Sequence, residues 1–132
     1  MSPIRFHRVD AAPEPVAPFS HAAEVDGWVF VTGQMPTLPG APEAKLPEGI
    51  EAQTRRVMDN LVLVLAGVGL GMEHVVSAPA YLTHFEEDYA RFNAVYASCF
   101  APDRLPARTC IGVTALARGA RVEVDLLARR PS

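Results

Sequence analysis

The chain has 132 residues, 49% of them hydrophobic and 20% charged, with a formal net charge of −3. That length supports one packed domain, residues 1–132, because two would each be too small for a good core. The acidic balance argues against a nucleic-acid backbone as main partner, and the longest apolar run, Leu61 to Ala66, is too short to span a membrane.

The first residues, Met1 to His7, contain no hydrophobic signal region, so a cytoplasmic location is expected. Most of the twelve prolines fall at or before Pro47, and none lies between Glu48 and Ala78. The first third is therefore expected to be strands and loops, and the middle helical. Ala22 to Val25 and Trp28 to Thr32 flank Asp26-Gly27, a hairpin pattern closed by Gly33. Pro36 to Pro47 reads as a surface loop. Ile50, Val57, Leu61, Val64, Leu65 and Val68 recur at helical spacing, opposite Gln53, Arg56, Asp59 and Asn60, so a helix is predicted from Ile50 to Val68. Val75 to Phe85 has the character of a buried strand, with Pro79 marking an edge or a bulge. Phe85, Tyr89, Phe92, Tyr96 and Phe100 mark a second helix, whose start carries Glu86, Glu87 and Asp88. Arg108 to Ala115 and Arg121 to Arg129 complete the order β-β-α-β-α-β-β. The predicted class is α+β: a mixed sheet with two helices on one face.

Gly67-Val68-Gly69-Leu70-Gly71 follows a helix instead of opening one and lacks the Gly-Lys-Ser/Thr of a phosphate loop, so it reads as a helix terminator. His7, His21, His74 and His84 have no metal-ligand spacing, and no metal is expected. Cys99 and Cys110 form neither a C-x-x-C pair nor a disulfide framework. The aromatic stripe from Phe85 to Phe100 is most simply core packing. Along the closing strands, alternation sets Arg108 and Cys110 on one face. Val122, Val124 and Leu126 form an apolar face opposed by Arg121, Glu123 and Asp125. One solvated sheet face accounts for this pattern; a chemical account needs Arg, thiol and carboxylate to converge. In a simple hairpin turning near Ala117 to Ala120, Thr114 would face Glu123 and Arg108 would approach Arg129. Arg108 and Glu123 would then lie on the order of 20 Å apart, so either the pairing is irregular or the two meet between copies of the chain.

Several ordered segments together resemble the RidA/YjgF family of enamine/imine deaminases. They are Pro18-Phe19-Ser20-His21-Ala22, Val29-Phe30-Val31-Thr32-Gly33-Gln34-Met35-Pro36, Gln53-Thr54, Asn60-Leu61, Phe92-Asn93-Ala94-Val95-Tyr96, Pro106-Ala107-Arg108-Thr109-Cys110 and Val122-Glu123-Val124-Asp125. The resemblance implies a chorismate-mutase-like fold and a homotrimer whose sheets form a central barrel, with ligand clefts between subunits. It implies cofactor-independent hydrolysis of 2-imino or 2-enamino acids such as 2-aminoacrylate to 2-keto acids and ammonia. Carried over by position, Arg108 would hold the substrate carboxylate and Glu123 would orient or activate water. Phe19, Thr32, Gly33, Asn93 and Cys110 would line the cleft. Phe19 stands where the family usually has Tyr, and Thr32 where Ser is common, which bears on the substrate more than on the reaction. The alternatives kept open are a 2-aminomuconate deaminase, a chorismate-mutase-like enzyme, and a non-enzymatic ligand- or protein-binding module.

Overall fold

The computed structural model describes residues 2–132. Its strands are β1 (Arg5–His7), β2 (Ala22–Val25), β3 (Trp28–Gln34), β4 (Val75–Ser77), β5 (Ala80–Leu82), β6 (Cys110–Gly112) and β7 (Val122–Arg129), and its helices are α1 (Ile50–Gly67) and α2 (Phe85–Ala97). The seven strands form one mixed sheet in the order β1-β2-β3-β7-β5-β6, with β4 also on β7. Both helices cover the same face. Val29 and Val31 of β3 and Val122, Val124, Leu126 and Ala128 of β7 pack there against Val57, Leu61, Val64 and Leu65 of α1 and Phe92 of α2. The period of two along β7 and the three-to-four spacing on α1 together produce this core.

The β2–β3 hairpin forms as its turn residues predict. Asp26 and Gly27 both have positive φ (53° and 81°), and Val25 lies opposite Trp28. The glycine run ends α1. Gly69 takes φ 80° and donates to the Ala66 carbonyl (3.0 Å), while the Leu70 N–H bonds Leu65 O (2.9 Å). Both Leu65 and Leu70 are buried, which completes a Schellman cap. Helix termination is thus what the Gly67–Gly71 run does here.

Three expectations need correction. Arg5 to His7 form an additional first strand, too short to show a periodic pattern. The single strand expected from Val75 to Phe85 is two strands, because Pro79 cannot donate to the ladder and the β4–β7 register shifts just before it. Pro79 itself marks neither a bulge nor an edge: the bulge lies between Val75 and Ser77, the register with β7 is the same at Ser77↔Leu127 and Ala80↔Val124 on either side of Pro79, and β5 lies inside the sheet between β7 and β6. The simple hairpin weighed for the last two strands does not form, so of the two possibilities left open their pairing is the irregular one. Cys110–Gly112 runs parallel to β5, with α2 as the crossover between them, and β5 separates it from β7. Glu123 consequently faces Tyr81 instead of Thr114. Arg129 lies opposite Trp28 and stacks on its ring at 5.2 Å, far from Arg108.

One ion cluster ties the chain ends to the sheet. Glu24, 5% exposed, receives two bonds from Arg130 (2.9 and 3.0 Å) and also meets Arg5 and His7 at 3.0 Å. The Arg130 guanidinium is the main cause that holds its carboxyl at about 2 against an ordinary 4.5. A depressed carboxylate stabilises the fold above its unfolded pKa and loses that contribution as pH falls toward the folded value. Glu24→Gln should therefore destabilise the protein by about 3 kcal/mol at pH 7. In urea titrations the gap to wild type should narrow between about pH 4.5 and pH 2; a gap independent of pH would refute the ionic origin.

Candidate active site

The candidate residues fall into two groups. The first lies on the sheet face that the helices leave uncovered. Between Val31 and Gln34 the β3–β7 register shifts by one residue, which places a bulge at Thr32–Gly33. The Glu123 carboxylate crosses from β7 directly over this bulge. A Cβ at Gly33 would run into it, so the absence of a side chain there is what admits the carboxylate. The Thr32 hydroxyl donates to the Ser20 carbonyl (2.6 Å) and its N–H bonds His21 O (3.0 Å). These two bonds lash the Pro18–Ser20 segment alongside β3 and set Phe19 beside Gly33. A groove of about 520 Å³ results, walled by Phe6, Phe19, Phe30, Thr32, Gly33 and Asp125. Glu123 is half-buried, and burial, with the neighbouring Asp125 charge second, raises its carboxyl above the ordinary range.

The second group lies on the helix-covered side, at the far edge of the sheet. Arg108 precedes β6, and its guanidinium sits over the rings of Tyr96 (4.8 Å), Phe92 (5.4 Å) and Tyr89 (5.8 Å), with one bond to the Tyr89 hydroxyl (3.3 Å). Three aromatic faces fix the cation without neutralising it. No carboxylate pairs with Arg108 among the described residues, whereas Arg121 and Arg130 are each clamped by buried acids. Cys110 packs against the core beside it. Burial pushes the Cys110 thiol up while Arg108 pulls it the other way, so its dominant form near neutrality is the thiol. On α2, the Asn93 Oδ1 and the Tyr96 hydroxyl are buried without a hydrogen-bond partner. Such atoms cost about 1–3 kcal/mol each unless something satisfies them.

Within one copy the two groups do not meet. Cys110, Ala80 and Val124 share the helix-covered face, and Ile111, Tyr81 and Glu123 share the open one. Arg108 and Glu123 thus project from opposite sides, with Cα atoms about 14 Å apart at ~4.8 Å per strand and ~3.3 Å per residue. The separation expected from a simple hairpin is too long and its geometry wrong, but the two residues are apart all the same. Sequence pattern missed the aromatic seat of Arg108 and the closeness of Glu123 to Gly33. The spacing of Tyr89, Phe92 and Tyr96 along one helix face and the glycine inside a strand were the available signals. Another hollow, of about 440 Å³, lies between residues 43–49 and Arg118. Its Gln53 is occupied in bonding Pro47 O and the Arg121 N–H.

A mixed sheet with two helices on one face makes this an α+β protein, whose candidate site residues fall into two groups: a carboxylate over a glycine bulge on the open face and an arginine without a carboxylate partner at the sheet edge. Residues 9–130 match the family model described as Endoribonuclease L-PSP. The chain is 42% identical to Protein DfrA of Myxococcus xanthus over 90% of both chains. It is 34% identical to a RutC family protein of Synechocystis over 92% of both. It superposes on the crystal structure of RidA from an Antarctic Psychrobacter with a TM-score of 0.88, at 29% identity, over 95% of this chain and 98% of that one. The chain belongs to the RidA/YjgF family. Among its described residues, no helix is long and apolar enough to cross a membrane.

Proposed function

We propose that the protein is a cofactor-independent deaminase that hydrolyses 2-imino and 2-enamino acids to 2-keto acids and ammonia, at clefts formed between copies of the chain in a trimer. The observation that carries this reading is Arg108: a guanidinium held on three aromatic rings with no carboxylate of its own. A planar fork of this kind matches a substrate carboxylate bidentately. Its distance from Glu123 within one copy supports a site that a second copy completes. Phe6, Phe30 and Ile111, 68%, 52% and 47% exposed, lie on the open sheet face and supply an apolar surface for that contact.

In such a cleft Arg108 of one copy holds the carboxylate, and Glu123 of the next receives a proton from water as its oxygen attacks C2. Glu123 passes that proton to the imine nitrogen to give the carbinolamine, then takes the carbinolamine hydroxyl proton and delivers it to the same nitrogen as the C–N bond breaks and C2=O forms, leaving the 2-keto acid and ammonia. A carboxyl raised by burial is suited to both transfers. Cys110, held as a thiol, lines the cleft and needs no covalent role. Phe19, Phe6 and Phe30 make one wall apolar, which favours imines with apolar side chains over the smallest polar ones.

The test is an assay of 2-imino acids generated in solution by an amino-acid oxidase, run beside sedimentation of the same sample. Accelerated keto-acid and ammonia release by a trimer is the expected result. Full activity in a monomer would overturn the shared-cleft reading, and no activity on any imino acid would overturn the reaction.

A further inference from the structure

The open sheet face that carries Glu123 holds a second carboxylate that the proposed chemistry does not use. Asp125 lies two residues beyond Glu123 on β7, so both project onto the open sheet face, and Asp125 lines the groove with Thr32 and Gly33. Tyr81 of β5 stands directly opposite Glu123 in the ladder, yet its hydroxyl reaches diagonally to donate to Asp125 Oδ2 at 2.9 Å. The hydrogen bond is thus given to one carboxylate and withheld from the other.

We propose that Tyr81 and Asp125 are positioning residues for Glu123. The Tyr81 hydroxyl keeps Asp125 as the anion of the pair, and that fixed negative charge makes Glu123 the carboxylate that takes and returns the proton. Two carboxylates two residues apart on one face of β7 resist joint ionisation, so whichever receives the better hydrogen bond ionises first. Burial raises both groups, but the Tyr81 bond draws Asp125 back down, whereas Asp125 pushes Glu123 further up. Within one copy, among the described residues, no other charge lies against the pair. Arg121, two residues before Glu123, is held by Asp88 (2.8 and 3.0 Å) and Glu87 (3.1 Å). From β3 the facing groups are the uncharged Thr32 and Gly33, and beyond Tyr81 on β6 stands Ile111.

This proposal rests on the deaminase reading only for its consequence, and its test is separable from it. Carbon-13 titration of the side-chain carboxyls in the full-length protein reads both groups without substrate. Asp125→Asn should lower the Glu123 midpoint by about one pH unit, and Asp125→Glu should restore it. Tyr81→Phe should move the two in opposite directions, Asp125 up and Glu123 down, which loss of packing alone would not do. An unchanged Glu123 midpoint in Asp125→Asn, or parallel movement in Tyr81→Phe, would overturn the proposal. On an imino acid, the acid limb of the rate profile should follow Glu123 to lower pH. A midpoint that moves while the rate profile stays fixed would leave the Tyr81–Asp125 device standing and remove Glu123 from the reaction.

Discussion

Glu123→Gln is expected to lower kcat on a 2-imino acid by about 10²–10³-fold while leaving KM within a few-fold of wild type. The substitution keeps the size of the side chain over Gly33 and removes only its capacity to take a proton. Substrate held through its carboxylate by Arg108 should still bind. Stability gives the control. A carboxyl whose folded pKa lies above its unfolded one favours the fold at low pH and opposes it as pH rises. The Gln variant should therefore be at least as stable as wild type at neutral pH, so lost rate cannot be assigned to unfolding. An unchanged kcat would remove Glu123 from the mechanism. In the wild type, base-dependent activity should fall as pH drops through the raised Glu123 value, at higher pH than for an ordinary glutamate.

The elements governed by local pattern were legible in the sequence. Val57, Leu61, Val64 and Leu65 repeat along one helix, Asp26-Gly27 closes one hairpin, and Gly69 ends one helix, each within a few residues. The closing strands were legible by face and not by neighbour. Alternation at Val122, Val124 and Leu126 says which side is buried, but nothing local says that β5 separates β6 from β7. That order depends on α2 carrying the chain across from β5 to a parallel β6. The same limit applies to the site. Glu123 was identifiable as a strand residue, whereas Arg108, expected to open a strand running to Ala115, lies before the shorter Cys110–Gly112 strand, and Gly33 beneath Glu123 depends on a β3–β7 register across about ninety residues of chain. The aromatic stripe read as core, and Phe92 and Tyr96 are core. That its outer edge also seats Arg108 follows only from where β6 lies.

Arg108→Ala is expected to reduce kcat/KM for 2-imino acids by about 10²-fold, the loss of a bidentate charge-assisted contact of ~2–3 kcal/mol. Two effects are mixed in that variant, because the guanidinium also covers Tyr89, Phe92 and Tyr96. Removing it uncovers aromatic surface and forfeits roughly 0.5–1 kcal/mol of cation–π stabilisation. Arg108→Lys separates them. An ammonium on a flexible stem retains charge near the rings but cannot present two parallel N–H groups to one carboxylate. If Arg108 serves mainly to bind substrate, Lys should recover the urea midpoint and only a small part of kcat/KM, with KM rising more than kcat falls. If its role is to hold α2 against the sheet edge, Lys should restore activity and stability together. The structure favours the first result. Arg108 has one protein hydrogen bond, to the Tyr89 hydroxyl at 3.3 Å, while the arginines that hold the fold, Arg121 and Arg130, make two or more bonds each to a buried acid. A guanidinium fixed in place on aromatic rings and left without a counterion has its charge available for a ligand.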